Sequence, residues 1–451
     1  MARDAAALPR GCAMSERELL PAGARRSVEE IGSAEIVVGI PSFNNARTIA
    51  HVLQAAQAGL AKYFPRLRAL IVNSDGGSTD GTPDIVRGLT MPQHELLLIS
   101  HPLYPVHRLT IPYHGIPGKG SAFRCVFRVA ELLGARACAV VDADLRSISP
   151  EWIQLLVAPV LEHGYDYVAP YYLRHKYDGT ITNNIVYPLT RALYGERVRQ
   201  PIGGDFGFSG RLAGHYLRLP VWDSDVARYG IDIWMTTTAI CDGFRVCQAF
   251  LGTKLHDAKD PGADLSAMLV QVLGTVFSLM ETYEPIWIRV SESRNTPVMG
   301  FRFEVGVEPI DVDVRRLAQH FRTGVANLKE MWATVVDAAD LQHLEALAAK
   351  SPDAFTMADD LWVRLVWAFA LGYHHRLMDR PHLVRSFLPL YMGRVASFVG
   401  EVAGRDAVGV EDRLEQLCVA FESAKPYLVE RWRTPRGKAY RPFRDPTQVM
   451  K

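Results

Sequence analysis

The chain has 451 residues, of which 48% are hydrophobic and 22% are charged, so it can bury one large core or two moderate ones. The 50 Lys and Arg residues nearly balance the 49 Asp and Glu residues, and no long block of like charge is present, which argues against a nucleic-acid partner. The 6 cysteines are scattered without CxxC spacing, a pattern that predicts reduced thiols and a cytoplasmic protein.

Residues 1–33 are predicted to form a flexible tail. They contain basic residues but lack the apolar core of a signal peptide. No window of the chain approaches the ~18 consecutive apolar residues of a membrane span. The most apolar window, Leu365 to Tyr373, is predicted to be a buried helix.

Three strand-and-helix units are predicted next along the chain. The strands share β-branched, apolar runs that end in polar residues: EIVVGIPSFNN from Glu35, ALIVNSD from Ala69 and ACAVVDADL from Ala137. Helices are predicted over residues 46–61, 83–89 and 121–133. Nearly continuous apolar strands alternating with helices indicate a parallel sheet with helices on both faces.

The sequence changes character after about Pro261. GADLSAMLVQVLGTVFSLMETY and DDLWVRLVWAFALGYHHRLM have helical spacing and few strand signals, so a helical region is predicted over residues 265–451. Its last stretch, from Arg431, is rich in Pro and Arg and is predicted to be irregular. Five aromatic residues of this region would form a buried core or, alternatively, a self-association surface of a homodimer: Trp362, Trp367, Phe369, Tyr373 and Tyr391.

The motif Asp142–Ala143–Asp144 follows the third predicted strand. Two carboxylates two residues apart offer the oxygen ligands that suit Mg²⁺ or Mn²⁺, and such a metal would neutralise a diphosphate leaving group. An isolated DxD is common. Its position after two other polar strand ends favours metal binding here, because ligands gather at the carboxyl ends of parallel strands.

A Gly-rich loop, IPGKGSAF, opens the predicted helix near residue 121. Gly118 and Gly120 would let backbone amides approach an anion, while Lys119 adds a positive charge and the helix N-terminus its dipole. A plain turn with a solvated Lys is the alternative. Similarly, the segment NSDGGSTDGT (residues 73–82) can face a base or ribose, although turn chemistry alone explains such composition in many proteins.

The order of IPSFNN, SDGGSTDGT, PGKGSAF and VVDADL resembles the nucleotide-binding half of GT-A glycosyltransferases. Downstream, QPIGGDFGFSG, YGIDIWM and GTKLHDAKD resemble the retaining enzymes that make mannosylglycerate, glucosylglycerate or glucosyl-3-phosphoglycerate. The resemblance implies an α/β, Rossmann-like GT-A domain over residues 34–264, with a mostly parallel sheet flanked by helices. Residues 265–451 would be the mainly α-helical C-terminal region.

The resemblance also implies a donor and metal site. Asp144 would be the main ligand of Mn²⁺ or Mg²⁺, His256 would complete the site, and Asp142 would lie near the metal or the ribose. Lys119 would contact the diphosphate and Asp232 would hold sugar hydroxyls; a structural role for His256 and a helix N-cap for Asp232 are the alternatives. The donor pocket would further include Pro41, Ser42, Asn45, Asp75, Ser78, Gly118, Ala143, Gly203, Gly204 and Asp205.

The implied acceptor site lies in the segment YLRHKYDGTITNN. Its residues would be Arg174, Asp178, Gly179, Thr180, Thr182 and Asn183. Relatives that use phosphoglycerate carry an Arg where Thr180 stands, and a hydroxyl cannot offset a phosphate dianion as a guanidinium does. This favours glycerate as acceptor, although Arg174 or His175 could still serve a carboxylate or a phosphate bound differently.

The sequence therefore predicts a metal-dependent, retaining glycosyltransferase that moves a hexose from UDP-glucose or GDP-mannose to a small acidic acceptor, most simply glycerate. Attack on the same face, assisted by the leaving phosphate, is the expected mechanism; inversion with Asp232 or Asp205 as general base is the alternative. Glucosyl-3-phosphoglycerate synthesis is the alternative activity. A sugar nucleotidyltransferase and a non-catalytic sugar-nucleotide binder remain open.

Overall fold

The computed structural model describes residues 19–89, 118–256, 265–302, 306–351 and 354–434, together with the backbone of residues 95–100. Its strands are β1 Ile36–Ser42, β2 Ala69–Asp75, β3 Glu95–Ser100, β4 Ala137–Val140, β5 Tyr167–Leu173, β6 Phe206–Ser209, β7 Val246–Thr253 and β8 Val298–Met299. Its helices are α1 Ala22–Ile31, α2 Ile49–Tyr63, α3 Thr82–Gly88, α4 Lys119–Leu132, α5 Pro150–His163, α6 Tyr187–Tyr194, α7 Gly210–Arg218, α8 Ile231–Cys241, α9 Leu265–Thr282, α10 Glu284–Trp287, α11 Val314–Trp332, α12 Ala338–Ala348, α13 Asp359–His374, α14 Arg380–Ser386, α15 Leu388–Val402 and α16 Ala407–Trp432.

The described strands form one mixed sheet in the order β3-β2-β1-β4-β6-β5-β7-β8. All neighbouring strands run parallel except β6, which is antiparallel to both β4 and β5. The predicted α/β class with a mostly parallel sheet is thus confirmed. Strand β8 lies beyond residue 264, so the sheet also receives a short strand from the part of the chain that is otherwise helical.

Strand β1 shows why the sheet is covered on both faces. Its side chains are almost all buried, and alternate residues enter different cores: Val38 packs with residues of α2 and α5, and Val37 with residues of α4. Gly39 allows this close packing, because a Cβ there would lie 2.6 Å from Val126 Cγ2. Pro41 falls beyond the β4 pairing, which ends at Gly39, so its missing N–H leaves no ladder bond to that strand unmade.

The core on the α4 face continues without a break into the C-terminal helices, as far as Trp432. Trp362, Trp367, Phe369 and Tyr391 lie fully inside it, as the core alternative predicted. The homodimer stays a prediction. None of the described helices is long and apolar enough to cross a membrane.

The N-terminal segment differs from the predicted tail. Residues 22–31 form helix α1, which buries Ala24 and Val28, and its end is held by Arg68, whose Nη2 donates to the carbonyl of Ile31. Residues 1–18 of that prediction, and residues 435–451 of the predicted irregular end, lie outside the described residues. The division at residue 264 stays a prediction.

Trp362 joins the helical region to the sheet region, and its removal should destabilise both. It is fully buried, and its Nε1 donates to the Asn184 carbonyl at 2.8 Å. We expect Trp362→Ala to lower the free energy of unfolding by about 3–5 kcal/mol, because a large cavity and an unpaired carbonyl remain. The control is Val408→Ala, at a residue that is 70% exposed, and it should change the free energy of unfolding by less than about 0.5 kcal/mol. Urea titrations measure both variants.

Candidate active site

A cavity of about 360 Å³ opens at the carboxyl ends of β1 and β4. Most of the residues predicted for the site line it: Pro41, Ser42, Asn45, Gly118, Lys119, Asp142, Ala143, Asp144, Arg174, Asp178, Gly179, Thr180, Thr182, Gly203, Gly204, Asp232 and His256. Four predicted residues do not: Asp75, Ser78, Asn183 and Asp205. The structure thus brings the donor, metal and acceptor candidates together in one cavity.

Asp75 supports the cavity wall from behind. It is buried and accepts hydrogen bonds from the Ser42 hydroxyl at 2.9 Å, the Ser78 hydroxyl at 2.6 Å and the Ser78 amide at 2.9 Å. Asn45 donates its amide to Thr82 Oγ1 at 2.9 Å, which ties the loop after β1 to the turn after β2. Asp75 and Ser78 therefore shape this wall without facing the cavity.

Two ammonium groups hold the first carboxylate of the DxD motif. Asp142 Oδ1 lies 2.8 Å from Lys119 Nζ, and Asp142 Oδ2 lies 2.8 Å from Lys254 Nζ. Burial would raise the pKa of Asp142, but these two cations outweigh burial and lower it well below the usual range of a carboxyl. Asp142 is therefore ionised, with both of its oxygens paired to lysines.

Lys119 also pairs with Asp232, whose Oδ1 lies 3.3 Å from its Nζ. Burial lowers the pKa of Lys119, yet Asp142 and Asp232 outweigh it, so the pKa lies above that of a free lysine. Burial likewise raises the pKa of Asp232, although Lys119 opposes this shift. Asp232 does not cap its helix: α8 is capped by Gly230, and the Asp232 carboxylate faces the cavity.

The two glycines beside Lys119 have a packing role that the sequence did not predict. A Cβ on Gly118 would lie 2.3 Å from the Ala227 carbonyl oxygen, and one on Gly120 would lie 1.9 Å from that of Val226. Both glycines therefore allow the start of α4 to pack on the 3₁₀ turn Asp225–Ala227. That contact places Lys119 at the cavity. The predicted approach of the loop's backbone amides to an anion stays a prediction.

The turn before β6 lies directly against Asp142. Gly204 has a positive φ of +88°, and a Cβ there would lie 1.9 Å from Asp142 Oδ2. Asp205, which follows, is fully buried; it accepts from the Asp142 amide at 2.8 Å and from the Tyr172 hydroxyl. Gly203 and Gly204 thus line the cavity while Asp205 holds them from below.

Asp144 and His256 meet at the same edge of the sheet. The chain near His256 pairs with Leu145 in an isolated antiparallel bridge, and this brings His256 beside the DxD motif. His256 Nε2 lies 3.7 Å from Asp178 Oδ2. Within the described part of the chain, no group of three or more His, Cys, Asp or Glu side chains forms a preassembled metal site.

The acceptor candidates are anchored in the C-terminal helices. Thr180 is buried, and its hydroxyl lies 2.6 Å from the Tyr391 hydroxyl on α15. Asn183 accepts from Arg199 Nη1 at 3.0 Å, and Arg199 in turn pairs with Glu411 of α16 at 2.9 Å. The α15 and α16 helices therefore set the position of this segment.

Arg174 is the arginine among the cavity-lining residues. Its Nη1 lies 3.2 Å from Asp178 Oδ2, its guanidinium packs on the Tyr172 ring, and its buried Nε donates no hydrogen bond. Burial and Lys176 lower the pKa of His175, so His175 is neutral near pH 7. Of the two cations considered for the acceptor, Arg174 is thus the charged one.

Several cavity residues were not identified from the sequence. Lys254 stands at the end of the buried strand β7, two residues before His256, and a charged residue in that position was a signal that could have revealed it. Met268 and Val272 of α9 and residues 307–310 come from the predicted helical region. The last of these segments is held by Glu308, whose Oε2 lies 2.6 Å from Arg146 Nη2.

The chain resembles known proteins as follows. Residues 37–210 match the family model described as Glycosyl transferase family 2, and none of the curated proteins matches the chain. It is similar to glucosyl-3-phosphoglycerate synthase from Mycobacterium tuberculosis in complex with Mn²⁺, UDP and phosphoglyceric acid, at 23% identity and TM-score 0.42, over 60% of this chain and 84% of that one. The chain is likewise similar to that enzyme in complex with Mg²⁺ and UDP, at 22% identity and TM-score 0.41, over 59% of this chain and 84% of that one.

The family match covers the strands β1 to β6, the Asp142–Asp144 motif and the turn at Gly203 and Gly204, and so includes most of the cavity's polar wall. Together with the mostly parallel sheet, this match shows that the protein is a glycosyltransferase with the GT-A fold, of which residues 37–210 resemble the glycosyl transferase family 2 model.

Proposed function

We propose that this glycosyltransferase transfers a hexose, with retention of configuration, from UDP-glucose or GDP-mannose to a small acidic acceptor, most simply glycerate. The observation that carries the proposal is that Lys119, Asp144, Asp232 and His256 line one cavity with Arg174. The cavity thus combines groups suited to a diphosphate, to sugar hydroxyls and to a carboxylate. The loop order and the DxD motif of GT-A enzymes agree with this arrangement.

The side chains fit a divalent cation held together with the donor. Asp144 offers a carboxylate and His256 an imidazole, a ligand set that suits Mn²⁺ and also Mg²⁺ with weaker preference. Because both Asp142 oxygens pair with lysines, we assign the metal to Asp144 and His256, with diphosphate oxygens completing the shell. When bound, the metal would supply Lewis-acid stabilisation of the leaving diphosphate.

Lys119 and Asp232 would act on the donor itself. The Lys119 ammonium lies between two carboxylates at the start of α4, and a bound diphosphate would share it with them. Asp232 accepts no hydrogen bond at its buried Oδ1 and can therefore accept one from a sugar hydroxyl. The leaving phosphate then takes the proton from the acceptor hydroxyl on the same face of the sugar.

Inversion would need a carboxylate base at the cavity. Asp205 was one candidate, but it lies beneath the cavity and is held by Lys254 and Tyr172. Asp232 is the other candidate, and Lys119 holds it as an ion pair. Asp205 is enclosed and Asp232 is paired with the charge of Lys119, so in this proposal Asp232 accepts a hydrogen bond from a sugar hydroxyl and does not act as the base.

Arg174 supports a singly charged acceptor. Part of its charge is offset by Asp178, while its Nε still lacks a partner, so one carboxylate suits it better than a phosphate dianion. Thr180 has its hydroxyl on Tyr391, and so it would not meet the acceptor phosphate where phosphoglycerate relatives carry an Arg. Glucosyl-3-phosphoglycerate synthesis is the second candidate, because Arg174, although partly offset by Asp178, still places a positive charge at the cavity that can attract a phosphate.

The proposal is tested with purified protein, Mn²⁺ or Mg²⁺, and a matrix of UDP-glucose and GDP-mannose against glycerate and 3-phosphoglycerate. We expect nucleotide release with glycerate and an α-anomeric NMR signal in the product. Transfer to 3-phosphoglycerate alone would replace the glycerate proposal by the second candidate. Release of nucleotide without any glycoside would contradict both proposed acceptors. A β-linked product would contradict the proposed retention of configuration.

The metal assignment predicts that Mn²⁺ binding depends on both Asp144 and His256. Asp144→Asn and His256→Ala should each weaken Mn²⁺ binding, measured by electron paramagnetic resonance of free Mn²⁺ with nucleoside diphosphate present, on the order of 100-fold, because each removes a ligand. His382→Ala, at an exposed histidine paired with Asp379, should leave Mn²⁺ binding unchanged. Wild-type Mn²⁺ affinity in both ligand variants would remove the metal from this site.

The close packing of Gly204 on Asp142 predicts that alanine at Gly204 impairs the enzyme more than alanine at Gly243, although both glycines have a positive φ. In Gly204→Ala the new Cβ would collide with the Asp142 carboxylate, so we expect donor turnover to fall on the order of 100-fold, as misplacement by about 1 Å does. Gly243→Ala imposes similar backbone strain at φ +78°, yet its Cβ would meet nothing within 4 Å. Steady-state rates that fall equally in both variants would show that only strain, and not the Asp142 contact, matters.

A further inference from the structure

Lys254 is a buried cation that none of the steps above uses. Its side chain is 3% exposed, and its Nζ lies 2.8 Å from Asp142 Oδ2, 2.7 Å from Asp205 Oδ2 and 2.6 Å from the Gly203 carbonyl oxygen. An ammonium group has three N–H donors, so these contacts use all of them.

The three partners of Lys254 come from separate parts of the chain. Asp142 follows β4, whereas Gly203 and Asp205 form the turn before β6, and Lys254 itself follows β7. One cation therefore ties the DxD motif to the turn that lines the cavity. Burial keeps solvent and salt from screening these contacts, so they constrain the turn more strongly than surface ion pairs would.

Without the Lys254 cation, Asp205 would lose its ion-pair partner, and Asp142 would keep only its pair with Lys119. Asp205 already accepts from the Asp142 amide, so the two acidic residues are held close together. Two carboxylates in a buried site repel each other unless a cation or proton lies between them. Loss of Lys254 would thus push the Gly203–Gly204 turn away from Asp142 or leave it free to move.

We propose that Lys254 is a positioning residue, which fixes the Gly203–Gly204 turn against Asp142 and thereby shapes the part of the cavity that receives the donor sugar. This inference rests on the proposed function, which needs the donor pocket that Gly203 and Gly204 are predicted to line. Lys254 would act on sugar recognition rather than on the nucleotide, since its partners Asp142, Gly203 and Asp205 lie outside the segment of residues 73–82 that is predicted to face the base or ribose.

The test compares two ligands by isothermal titration calorimetry in the presence of Mn²⁺: a nucleotide-sugar and the matching nucleoside diphosphate, UDP-glucose with UDP and GDP-mannose with GDP. In Lys254→Met we expect the nucleotide-sugar to bind about tenfold more weakly, with the diphosphate changed less than about threefold, because only sugar contacts depend on the turn. Equal weakening of both ligands, or of neither, would overturn the inference.

A second buried lysine provides the matched control. Lys425 is buried and its Nζ donates to the Leu193 and Val290 carbonyls, and none of these three residues lines the cavity. Lys425→Met should lower the unfolding midpoint but leave both ligand affinities at the wild-type value. A loss of sugar affinity in Lys425→Met as well would mean that general destabilisation explains the effect, and the inference would fall.

If Lys254→Met does not fold, Asp205→Asn decides, because it keeps the shape of the side chain and removes one of the charges that Lys254 holds. We again expect the nucleotide-sugar to bind more weakly while the nucleoside diphosphate binds nearly as in the wild type. An unchanged ratio of these two affinities would overturn the inference. A wild-type protein that binds neither pair of nucleotides would instead contradict the proposed function. The two failures are therefore distinguishable.

Discussion

The ion pairs around Asp142 constrain more of this structure than any other contact. Asp142 follows β4, which lies in the middle of the sheet. Its two carboxylate oxygens pair with two lysines, Lys119 at the start of α4 and Lys254 after the end of β7. Such a cluster survives burial only if nearly every charge and hydrogen-bond donor finds a partner. Lys119, Lys254 and Asp205 meet that condition, and their mutual positions fix the start of α4, the turn before β6 and the end of β7.

This constraint explains why the cavity lies where it does. The carboxyl ends of β1 and β4 gather the polar loops, and the bridge between Leu145 and His256 folds the chain after β7 back over the same edge. The apolar cores on the two faces of the sheet hold the strands in place. The ion pairs around Asp142 hold the loops that follow the ends of these strands. Rigid strands thus carry side chains whose positions would be loose on isolated loops.

The local pattern of the sequence predicted most of this. Apolar runs that end in Asn45, Asp75 and Asp142 indicated strands whose ends carry ligands, and residues from all three loops lie at or behind the cavity wall. Lys254 was missed, although it is a charged residue at the end of a buried strand, because its partners Asp142, Gly203 and Asp205 are distant in the chain. The packing role of Gly118 and Gly120 depends on the turn at Asp225–Ala227, about 105 residues away by their numbers, so no local signal could show it.

The acceptor segment has a consequence for how such proteins can be altered. Thr180 hydrogen-bonds to Tyr391, Asn183 reaches Glu411 through Arg199, and Lys176 donates to the carbonyls of Val402 and Ala403. The C-terminal helices therefore hold the predicted acceptor segment in place. Consider a chimera in which residues 34–264 come from another glycosyltransferase. Its donor loops and acceptor segment would then both be foreign, while α15 and α16 would still carry the side chains that hold the acceptor segment of this protein.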